Sequence, residues 1–594
     1  MRVAIDLPAR YKTNILATRD INQYARYARY NPYINMLTIK NKLSACCLLL
    51  VMALTSATVQ AQSSHNFETA KQLDIFNSLY RDLDLNYVDT VDAKKNIENA
   101  ILFMLDQLDP YTEYFPANRN EEIKQMTTGK YAGVGAIIAP RKDLRRCIIS
   151  TPYEGMPAAN VGLRRGDVIL SIGGVDTGEL DTLAAADYSS KVSNMLRGEP
   201  GTSFDIRIRR PGISKELTFK VTRQAIVLSS ITCATVISDS IGYILLSGYT
   251  ENTSRDMRQA VITLKQQGAR RLILDLRGNP GGLMGEAINL VNLFIPRGKE
   301  VVSTRGKVKE NTQTYKTSNA PLDLNIPIAV LINYGSASSA EITSGALQDY
   351  DRAVVIGQRS YGKGLVQETR PMPFGGVLKV TTSKYYIPSG RCIQAYKFED
   401  GAPVHLPDSL SKVFHTAAGR PVRDGGGITP DVEVKDDSLP NLLGYLSISD
   451  QLTDYCATYR NTHPQIAPAD QFHLTDEEYA QFCQYLKDHH FTYDRQSLRV
   501  LSQLRKLAKR EGYSVEAEKE FAALEAKLSH NEDFDFQRWK KEIKRLVEMN
   551  LVGCYYYDRG AAVYSLGDDK VVREALQVLQ NDQRYRQLLK SDKE

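Results

Sequence analysis

Three serines in one turn and one lysine are the residues of this 594-residue chain whose types and setting could support nucleophilic catalysis. Ser336, Ser338 and Ser339 follow the apolar run 328–332 and precede a helical stretch through residues 341–347. A hydroxyl at a helix start lies at the positive end of the helix dipole, where free N–H groups stabilise an oxyanion. The alternative interpretation is that these serines only cap the helix.

The candidate base is Lys363. No Gly-x-Ser-x-Gly sequence occurs, and all 8 histidines lie outside residues 66–404, so a Ser-His pair would need a distant histidine to fold back. Lys363 stands between Gly362 and Gly364, and glycines allow close approach of the backbone. Because desolvation disfavours an ammonium, a lysine in a dry pocket can be neutral and accept the serine proton. Most isolated lysines are solvated surface charges instead.

Strand–turn–helix units position these residues. Residues 271–276 form a continuous apolar run, followed by a Gly-rich turn at 277–282 and a helical pattern over 283–294. The same plan repeats over residues 328–347, and a third apolar strand covers 353–356. Strands that alternate with helices predict an α/β core with parallel strands, and helix N-termini then point their N–H groups at the strand ends.

A second module is predicted upstream, where the hydrophobic period changes from helix to strand near residue 125. Two glycines precede an apolar strand at 131–138, residues 162–174 give turn, strand and turn, and 202–208 alternate like a half-buried strand. This ordered set resembles a PDZ domain.

The resemblance to PDZ domains implies a peptide-binding loop. In that family the Gly-rich loop offers N–H groups to a peptide's terminal carboxylate while the peptide adds a strand to the sheet edge. Gly133, Val134 and Gly135 take the matching positions, and Arg197 is a candidate carboxylate-binding or switch residue. A dinucleotide loop is the alternative, but the third glycine and the following helix are missing.

The flanking regions are predicted to be helical. Apolar residues recur at helical spacing over 97–108 and predict an amphipathic helix with one buried face, paired in a hairpin with residues 67–83. Further amphipathic helices are predicted at 516–528 and 570–579. Packing against the rest of the chain or against a second subunit is the expected role of all of them.

The first 61 residues are predicted to be a secretory leader. Residues 43–59 are uncharged and apolar, follow Lys40 and Lys42, and end in the small-x-small pattern Val59-Gln60-Ala61. A membrane anchor is the alternative, but the run is short and interrupted by Ser and Thr. The leader holds eight Lys or Arg and two Asp and so carries the whole net charge of +6; cleavage leaves 67 basic and 67 acidic residues. A nucleic-acid or other acidic partner is therefore not expected.

Cysteine usage argues against a disulfide scaffold or a structural zinc site. The chain has 8 cysteines with no CxxC pair and no Cys/His cluster at metal spacing. The six beyond the leader are scattered, which favours buried thiols. No metal and no cofactor are expected.

Five motifs follow one another between residues 275 and 431. They are Asp275-Leu-Arg-Gly-Asn-Pro-Gly-Gly282, Asn333-Tyr-Gly-Ser-Ala-Ser-Ser-Ala-Glu-Ile342, Gly362-Lys-Gly-Leu-Val-Gln367, Tyr386-Ile-Pro-Ser-Gly390 and Gly427-Ile-Thr-Pro-Asp431. Together these motifs resemble the carboxyl-terminal processing, or tail-specific, proteases of peptidase family S41. Their order matches the family, and the resemblance covers roughly residues 66–435.

The resemblance assigns roles within two segments: residues 333–339, called the serine turn, and residues 362–364, called the lysine loop. The family spacing from the lysine makes Ser338 the nucleophile, with Ser339 as the fallback because this chain has Ser339-Ala340 where the family commonly has Ala-Ser. Lys363 becomes the general base, and Gln367, four residues on and expected on the same side of a helical turn, orients it. The N–H groups of Ser339 and Gly281 are the implied oxyanion hole. Glu341 and Asp275 are left out of the catalytic set, because capping and strand-end hydrogen bonds explain such acids more simply.

The resemblance also implies the fold class and the domains. We expect an α+β multidomain protein: a PDZ β-sandwich-like module and an α/β, crotonase- or ClpP-like Ser-Lys protease core, with helical N- and C-terminal regions. The expected boundaries are 1–61 for the leader, 62–117 for the helical region, 118–222 for the PDZ domain, 223–437 for the protease core with a surface-loop insertion at 395–424, and 438–594 for the helical tail.

The implied function is that of a serine endopeptidase in the periplasm or cell envelope, which cleaves near the C-terminus of unfolded or tail-exposed proteins. Expected partners are polypeptides with free C-termini, a second copy of the chain bound through the helical regions, and an adaptor protein. Two alternatives remain: a catalytically inactive PDZ scaffold and a crotonase-like acyl-transfer enzyme. The intact Ser338, Lys363 and Gln367 disfavour the scaffold, and the leader and PDZ module disfavour the acyl-transfer enzyme.

Overall fold

The computed structural model describes residues 66–590 apart from short gaps, which are 121–122, 124–127, 181–184, 239, 406, 436–438, 514 and 530. The predicted leader and its cleavage site lie outside the described residues. No helix in the described part of the chain is long and apolar enough to cross a membrane.

The N-terminal region is helical. Residues 66–86 form α1, Ala93–Asp106 forms α2, and strand β1 follows at Glu113–Phe115. On the predicted apolar face of α2, Leu105 is buried, whereas Met104 and Leu108 are more than half exposed. Packing of this face against a second subunit stays a prediction.

The predicted PDZ module is an antiparallel sheet covered by one helix. The strand order is β3-β4-β5-β7-β8, with β6 beside β5 and a separate pair β2-β9. Ile149, Ile169 and Ile206 point inward from three strands and are fully buried with Val192 of the covering helix α4. The elements are β2 (Lys130–Gly133), β3 (Ala136–Arg141), β4 (Arg146–Pro152), α3 (Pro157–Asn160), β5 (Val168–Ile172), β6 (Val175–Asp176), α4 (Ala185–Leu196), β7 (Ser203–Arg209), β8 (Leu217–Thr222) and β9 (Gln224–Val227).

The core contains the predicted parallel sheet. Its order is β10-β11-β12-β15-β16-β23, and only the β10-β11 pair is antiparallel. A second sheet, β1-β18-β13-β14 with β17 on β18, is built from β1 upstream of the parallel sheet and from strands that alternate with those of the parallel sheet along the chain. The elements are β10 (Ile231–Ile237), β11 (Ile241–Leu246), α5 (Thr253–Gln266), β12 (Arg271–Asp275), α6 (Met284–Val291), β13 (Glu300–Gly306), β14 (Gln313–Lys316), β15 (Ile328–Ile332), α7 (Ser339–Asp349), β16 (Val354–Gly357), β17 (Leu365–Pro371) and β18 (Val377–Tyr386).

The predicted loop insertion at 395–424 is instead folded. It forms two β-hairpins, the first from Tyr396–Glu399 (β19) and Ala402–His405 (β20), the second from Val413–His415 (β21) and Pro421–Arg423 (β22). The loop prediction was wrong because the Pro and Gly residues occupy hairpin turns and edges, where they are compatible with strands. Strand β23 (Val432–Glu433) then closes the parallel sheet.

The C-terminal region is a helical bundle with its own core. Leu452, Phe482, Ile543 and Leu551 are among its fully buried side chains. The helices predicted at 516–528 and 570–579 are confirmed. The elements are α8 (Asn441–Ser447), α9 (Asp450–Thr462), α10 (Asp476–Asp488), α11 (Gln496–Glu511), α12 (Glu518–Leu528), α13 (Glu532–Arg538), α14 (Lys540–Leu566), α15 (Lys570–Gln580) and α16 (Asp582–Leu588).

The cysteines agree with the prediction of buried thiols. Of the six in the described residues, five are buried and Cys392 is half-buried, and none of the six forms a disulfide bond.

Candidate active site

Ser338 lies in the turn between β15 and α7, with φ 55° and ψ −116°. Residues other than glycine rarely adopt a positive φ, because the side chain then clashes with the backbone. The surrounding contacts must therefore hold this turn in a strained conformation. The hydroxyls of the two neighbouring serines already donate hydrogen bonds to the backbone. Ser336 Oγ donates to Leu276 O at 2.7 Å, and Ser339 Oγ donates to Gly282 O at 2.8 Å. Both serines are buried, whereas Ser338 is half-buried. The geometry favours Ser338 over its two neighbours.

The Gly-rich turn after β12 packs directly against the serine turn. Ala337 N donates to Asn279 O at 2.9 Å, which joins the carboxyl ends of two parallel strands. Gly281 has φ 97°, and a Cβ at this position would lie 2.7 Å from Ser338 Cβ and 2.9 Å from Ser339 N. Only glycine therefore fits this position.

Glu341 joins the serine turn to the lysine loop. Its fully buried carboxylate accepts the N–H groups of Ser338 at 2.8 Å, Gly362 at 2.7 Å and Lys363 at 2.8 Å, and the hydroxyl of Ser360 at 2.5 Å. Burial raises the pKa of Glu341 to about 7, although the four hydrogen bonds favour the charged form. One carboxylate thus fixes both segments by their backbones.

Tyr385 makes a second link between the same segments. Its buried hydroxyl lies 2.5 Å from the carbonyl oxygen of Lys363 and 3.2 Å from that of Ser338. Since one phenol reaches both carbonyls, the serine turn and the lysine loop are neighbours in the fold.

Lys363 is half-buried, and its pKa is lowered to about 8. Desolvation is the main cause, and the positive charge of Lys379 adds to it. The carboxylates of Asp109, Glu341 and Glu113 act in the opposite direction but do not cancel the desolvation. A substantial fraction of Lys363 is therefore neutral slightly above neutral pH.

Gln367 is not on a helical turn with Lys363, so this part of the sequence prediction is wrong. Gln367 lies in strand β17, and its Nε2 donates to Thr381 Oγ1 at 3.1 Å. Pairing with β18 keeps the chain extended after residue 364, and an extended chain advances about 3.3 Å per residue. No hydrogen bond joins Lys363 and Gln367 in the described structure.

The two predicted oxyanion donors differ in availability. Ser339 N–H is at the start of α7 and donates to no described residue. Gly281 N–H donates to Asn279 Oδ1 at 2.9 Å. Gly281 is therefore beside Ser338 as predicted, but its N–H is occupied in this conformation.

The PDZ loop brings its predicted residues together. Gly135 has φ 72° and Val134 is buried; their carbonyls accept the N–H groups of Tyr153 at 3.0 Å and Ala158 at 2.8 Å. The loop is therefore held from its carbonyl side.

Arg197 follows α4 and reaches the same loop. Its guanidinium lies 5.8 Å from the centroid of the Tyr131 ring. A Cβ at Gly133 would lie 3.0 Å from that ring and 3.9 Å from Arg197 Cγ. Arg197, Tyr131 and Gly133 thus form one cluster at the start of the predicted peptide groove.

Sequence reasoning missed two residues at the site and undervalued a third. They are Tyr385 and Tyr111, whose ring centroid lies 4.3 Å from Lys363 Nζ. Neither tyrosine carries a signal that separates it from core aromatics. Glu341 stood within a family motif, three residues after Ser338, and was set aside as a capping residue. Within the described parts of the chain, no group of three or more His, Cys, Asp or Glu side chains is placed to hold a metal ion.

Three family models match the chain. Residues 240–404 match Peptidase family S41, residues 148–210 match a PDZ domain, and residues 442–579 match the C-terminal helical domain of probable PDZ-proteases. The predicted fold class, a PDZ module and an S41 core with a helical C-terminal region, is confirmed. The domain boundaries stay predictions.

Three proteases are similar to this chain in sequence. A carboxy-terminal-processing protease of Bartonella bacilliformis is 35% identical over 363 residues, which are 60% of this chain and 80% of that protein. The carboxy-terminal processing protease CtpB of Bacillus subtilis is 31% identical over 362 residues, 60% of this chain and 72% of CtpB. A solved photosystem II D1 C-terminal processing protease is 26% identical, with coverage of 61% of this chain and 87% of that one and a TM-score of 0.33. The identity to the Bartonella protease and to CtpB, together with the family models, shows that the chain belongs to the carboxy-terminal-processing proteases of peptidase family S41 and is a serine-type peptidase with a PDZ domain.

Proposed function

We propose that the protein is an exported endopeptidase in which Ser338 is the nucleophile and Lys363 the general base, and that it cleaves substrate proteins near a C-terminus docked on the PDZ domain. The observation that carries this proposal is the Glu341 carboxylate, which binds the backbone N–H groups of both residues. A strained turn held this firmly is typical of a nucleophile that must be presented at one fixed position.

The reaction follows from these positions. Neutral Lys363 removes the proton of Ser338 Oγ, and Oγ attacks the carbonyl carbon of the scissile peptide. The developing oxyanion is stabilised by Ser339 N–H at the positive end of α7. The C–N bond then breaks, the Lys363 ammonium returns the proton to the leaving amine, and water hydrolyses the acyl-enzyme by the same base.

Two local changes complete the site in this proposal. Gly281 N–H must leave Asn279 Oδ1 to become the second oxyanion donor, and Gln367 must leave Thr381 to orient Lys363. We infer that substrate binding drives both changes, since the oxyanion and the neutral amine are the groups that these donors and acceptors would serve.

Substrate docking is assigned to the PDZ loop. The N–H groups of residues 133–135 would receive the terminal carboxylate once the Tyr131 hydroxyl, which accepts the N–H of Gly135, has moved away, with Arg197 as the counter-charge of the carboxylate. The peptide would add a strand beside β3. Export rests on the leader sequence alone. The exposed apolar residues of α2, among them Leu102 and Phe103, support self-association, and an adaptor protein remains part of the proposal.

The test uses an unfolded substrate protein with a free or an amidated C-terminus. Ser338→Ala and Lys363→Met should each lower kcat/KM at least about 1,000-fold without loss of fold, because each removes a group that reacts. Ser344→Ala is the matched control on the same helix, since its hydroxyl contacts only helical carbonyls. Wild type should cleave the free substrate faster than the amidated one. Undiminished cleavage by Ser338→Ala would exclude the nucleophile, and equal rates on both substrates would exclude carboxylate docking.

A further inference from the structure

An aromatic ring from the N-terminal region lies over the base. The Tyr111 ring centroid is 4.3 Å from Lys363 Nζ. Its hydroxyl donates to the Tyr361 hydroxyl at 3.2 Å, so the ring is tied to the segment that leads into the lysine loop. Tyr111 and Lys363 are far apart in sequence, and only the fold brings them together.

The turn that carries Tyr111 is rigidly held. The Asp109 carboxylate accepts the N–H groups of Tyr111 and Thr112, both at 2.9 Å, and the Thr112 hydroxyl at 3.1 Å. Thr381 Oγ1 also donates to Asp109, at 3.2 Å. The ring is therefore placed by its own backbone turn and by strand β18, rather than by chance contact.

The first hairpin of the insertion, Tyr396–His405, supports the ring from the outside. Phe398 meets Tyr111 edge to face, with centroids 6.0 Å apart and planes at 89°. Tyr396 packs on Tyr361 at 5.9 Å and on His405 at 5.4 Å. Aromatic pairs in such geometries stabilise a structure beyond the area that they bury.

The hairpin is anchored at both ends. At its base, Ala395 N donates to Gly362 O at 2.9 Å, and Gly364 N donates to the Gln394 side chain at 2.7 Å. At its tip, Gly401 has φ 76°, and a Cβ there would lie 1.9 Å from Asp106 O. The hairpin thus extends from the lysine loop to the end of α2.

We propose that Tyr111 is a positioning residue for Lys363 and that the hairpin Tyr396–His405 exists to hold its ring there, as a cover that keeps water from the amine. The inference deepens the proposed function and rests on Lys363 as the base. It also gives a role to a segment that the sequence leaves unexplained.

The physical consequence is a pH effect. With the ring in place, Lys363 faces Lys379 from β18 and the carboxylates of Asp109, Glu113 and Glu341, and desolvation dominates over all four charges. Removal of the ring admits water, which solvates an ammonium far better than a ring face does. The pKa of Lys363 then rises toward its ordinary value, and less of the base is neutral at a given pH.

The experiment measures kcat/KM from pH 6 to pH 10 for full-length variants. In wild type, kcat/KM should rise with pH as Lys363 loses its proton, and the midpoint of this rise reports the pKa of Lys363. Tyr111→Ala should move this midpoint up by about one pH unit and lower the rate at pH 7.5 by about tenfold. Tyr111→Phe keeps the ring and should keep the midpoint, although it loses the hydrogen bond to Tyr361. Phe398→Ala, which loosens the ring without touching the turn, should shift the midpoint in the same direction as Tyr111→Ala but by less.

The outcomes separate three cases. A lower rate at every pH with an unmoved midpoint in both Tyr111→Ala and Phe398→Ala means a merely structural role, and the inference is then wrong. If Lys363→Met keeps its activity, the proposed function fails first. Loss of fold by Tyr111→Ala, seen in its thermal unfolding, leaves Phe398→Ala to decide, since an unmoved midpoint in that variant overturns the proposal.

Discussion

The Lys363 amine shows how a single residue is tuned by a few neighbours. Burial sets the direction of its pKa, and the charges around it oppose one another. Lys379 pairs with Glu113 at the edge of the second sheet, so the two residues have opposite effects on Lys363 from nearly the same place. This arrangement allows a charge test that leaves the reacting groups unchanged.

For single residues, Lys379→Gln and Glu113→Gln should shift the midpoint of the rise of kcat/KM with pH in opposite directions. Loss of the positive charge raises the pKa of Lys363 and moves the midpoint up; loss of the carboxylate lowers the pKa and moves it down. Each shift should be about 0.5 pH unit at low ionic strength and smaller in 1 M salt, because salt screens partly exposed charges. Shifts of the same sign in the two variants would contradict Lys363 as the titrating base.

A second residue-scale prediction concerns Glu341. Glu341→Gln has one carbonyl oxygen and an NH₂ group in place of two acceptor oxygens, so the amide faces backbone donors that it cannot satisfy. The misplaced serine turn should lower kcat about 100-fold. The matched control is Glu310→Gln, a change at an exposed glutamate. Steady-state kinetics and thermal unfolding of both variants test the predicted loss of activity. A kcat within twofold of wild type for Glu341→Gln would show that the hydrogen bonds to the Glu341 carboxylate are dispensable.

At the scale of elements, glycines decide how closely two segments approach. Gly281 lets the turn after β12 touch Ser338, Gly401 lets the hairpin tip touch α2, and Gly135 shapes the PDZ loop. In each case a side chain would meet a neighbour at less than 3 Å. The site depends on turns between elements more than on the elements themselves.

The corresponding prediction compares two glycines of the PDZ domain with the same φ of 72°. Gly135→Ala places a Cβ 2.3 Å from Met156 Cβ, whereas Gly155→Ala meets nothing within 4 Å. The backbone strain is equal in the two variants, so only Gly135→Ala should distort the PDZ loop at residues 133–135. Affinity for a peptide with a free C-terminus, measured by calorimetry, should fall at least tenfold for Gly135→Ala and by less than twofold for Gly155→Ala. Equal losses would mean that the loop is not the docking site.

At the scale of the whole molecule, the C-terminal helices hold the PDZ domain. Arg141, at the end of β3, is 4% exposed and contacts three carboxylates: Asp143, Asp450 at 2.9 Å and Asp454 at 3.0 Å. Asp450 and Asp454 lie on α9, and Asn461, about two turns further along that helix, donates to Pro211 O at 2.7 Å. The helical region therefore restrains the module that is proposed to deliver substrate.

We expect Arg141→Met to loosen this docking, because it leaves three carboxylates around an apolar side chain. Removal of one partner of a partly buried ion pair costs about 2 kcal/mol, whereas an exposed pair contributes less than about 1 kcal/mol. Arg505→Met, which breaks exposed pairs with Glu518 and Glu525, is the control. Hydrogen exchange in α9 and β3 should speed up in Arg141→Met only. Unchanged exchange there would show that apolar packing alone holds the two regions.

The amino-acid sequence was enough to predict the architecture and the segments that form the candidate site. Periodicity and turn residues are local signals, so the parallel core, the PDZ sheet and the helices at 518–528 and 570–580 were predictable, and the motifs identified the serine turn and the lysine loop. Desolvation of Lys363 was also predictable, from the glycines that flank it.

Which side chains contact one another at the site depends on the folded chain. The contacts of Glu341 with the lysine loop, of Tyr111 with Lys363 and of Tyr385 with both segments join parts of the chain that are 21 to 252 residues apart, and no local pattern encodes such pairs. The same reason explains the errors: Gln367 was placed by counting along a helix, but pairing with β18 makes that segment a strand. Hydrogen-bond partners across the fold, not spacing along the chain, fix the orientation of the candidate catalytic groups.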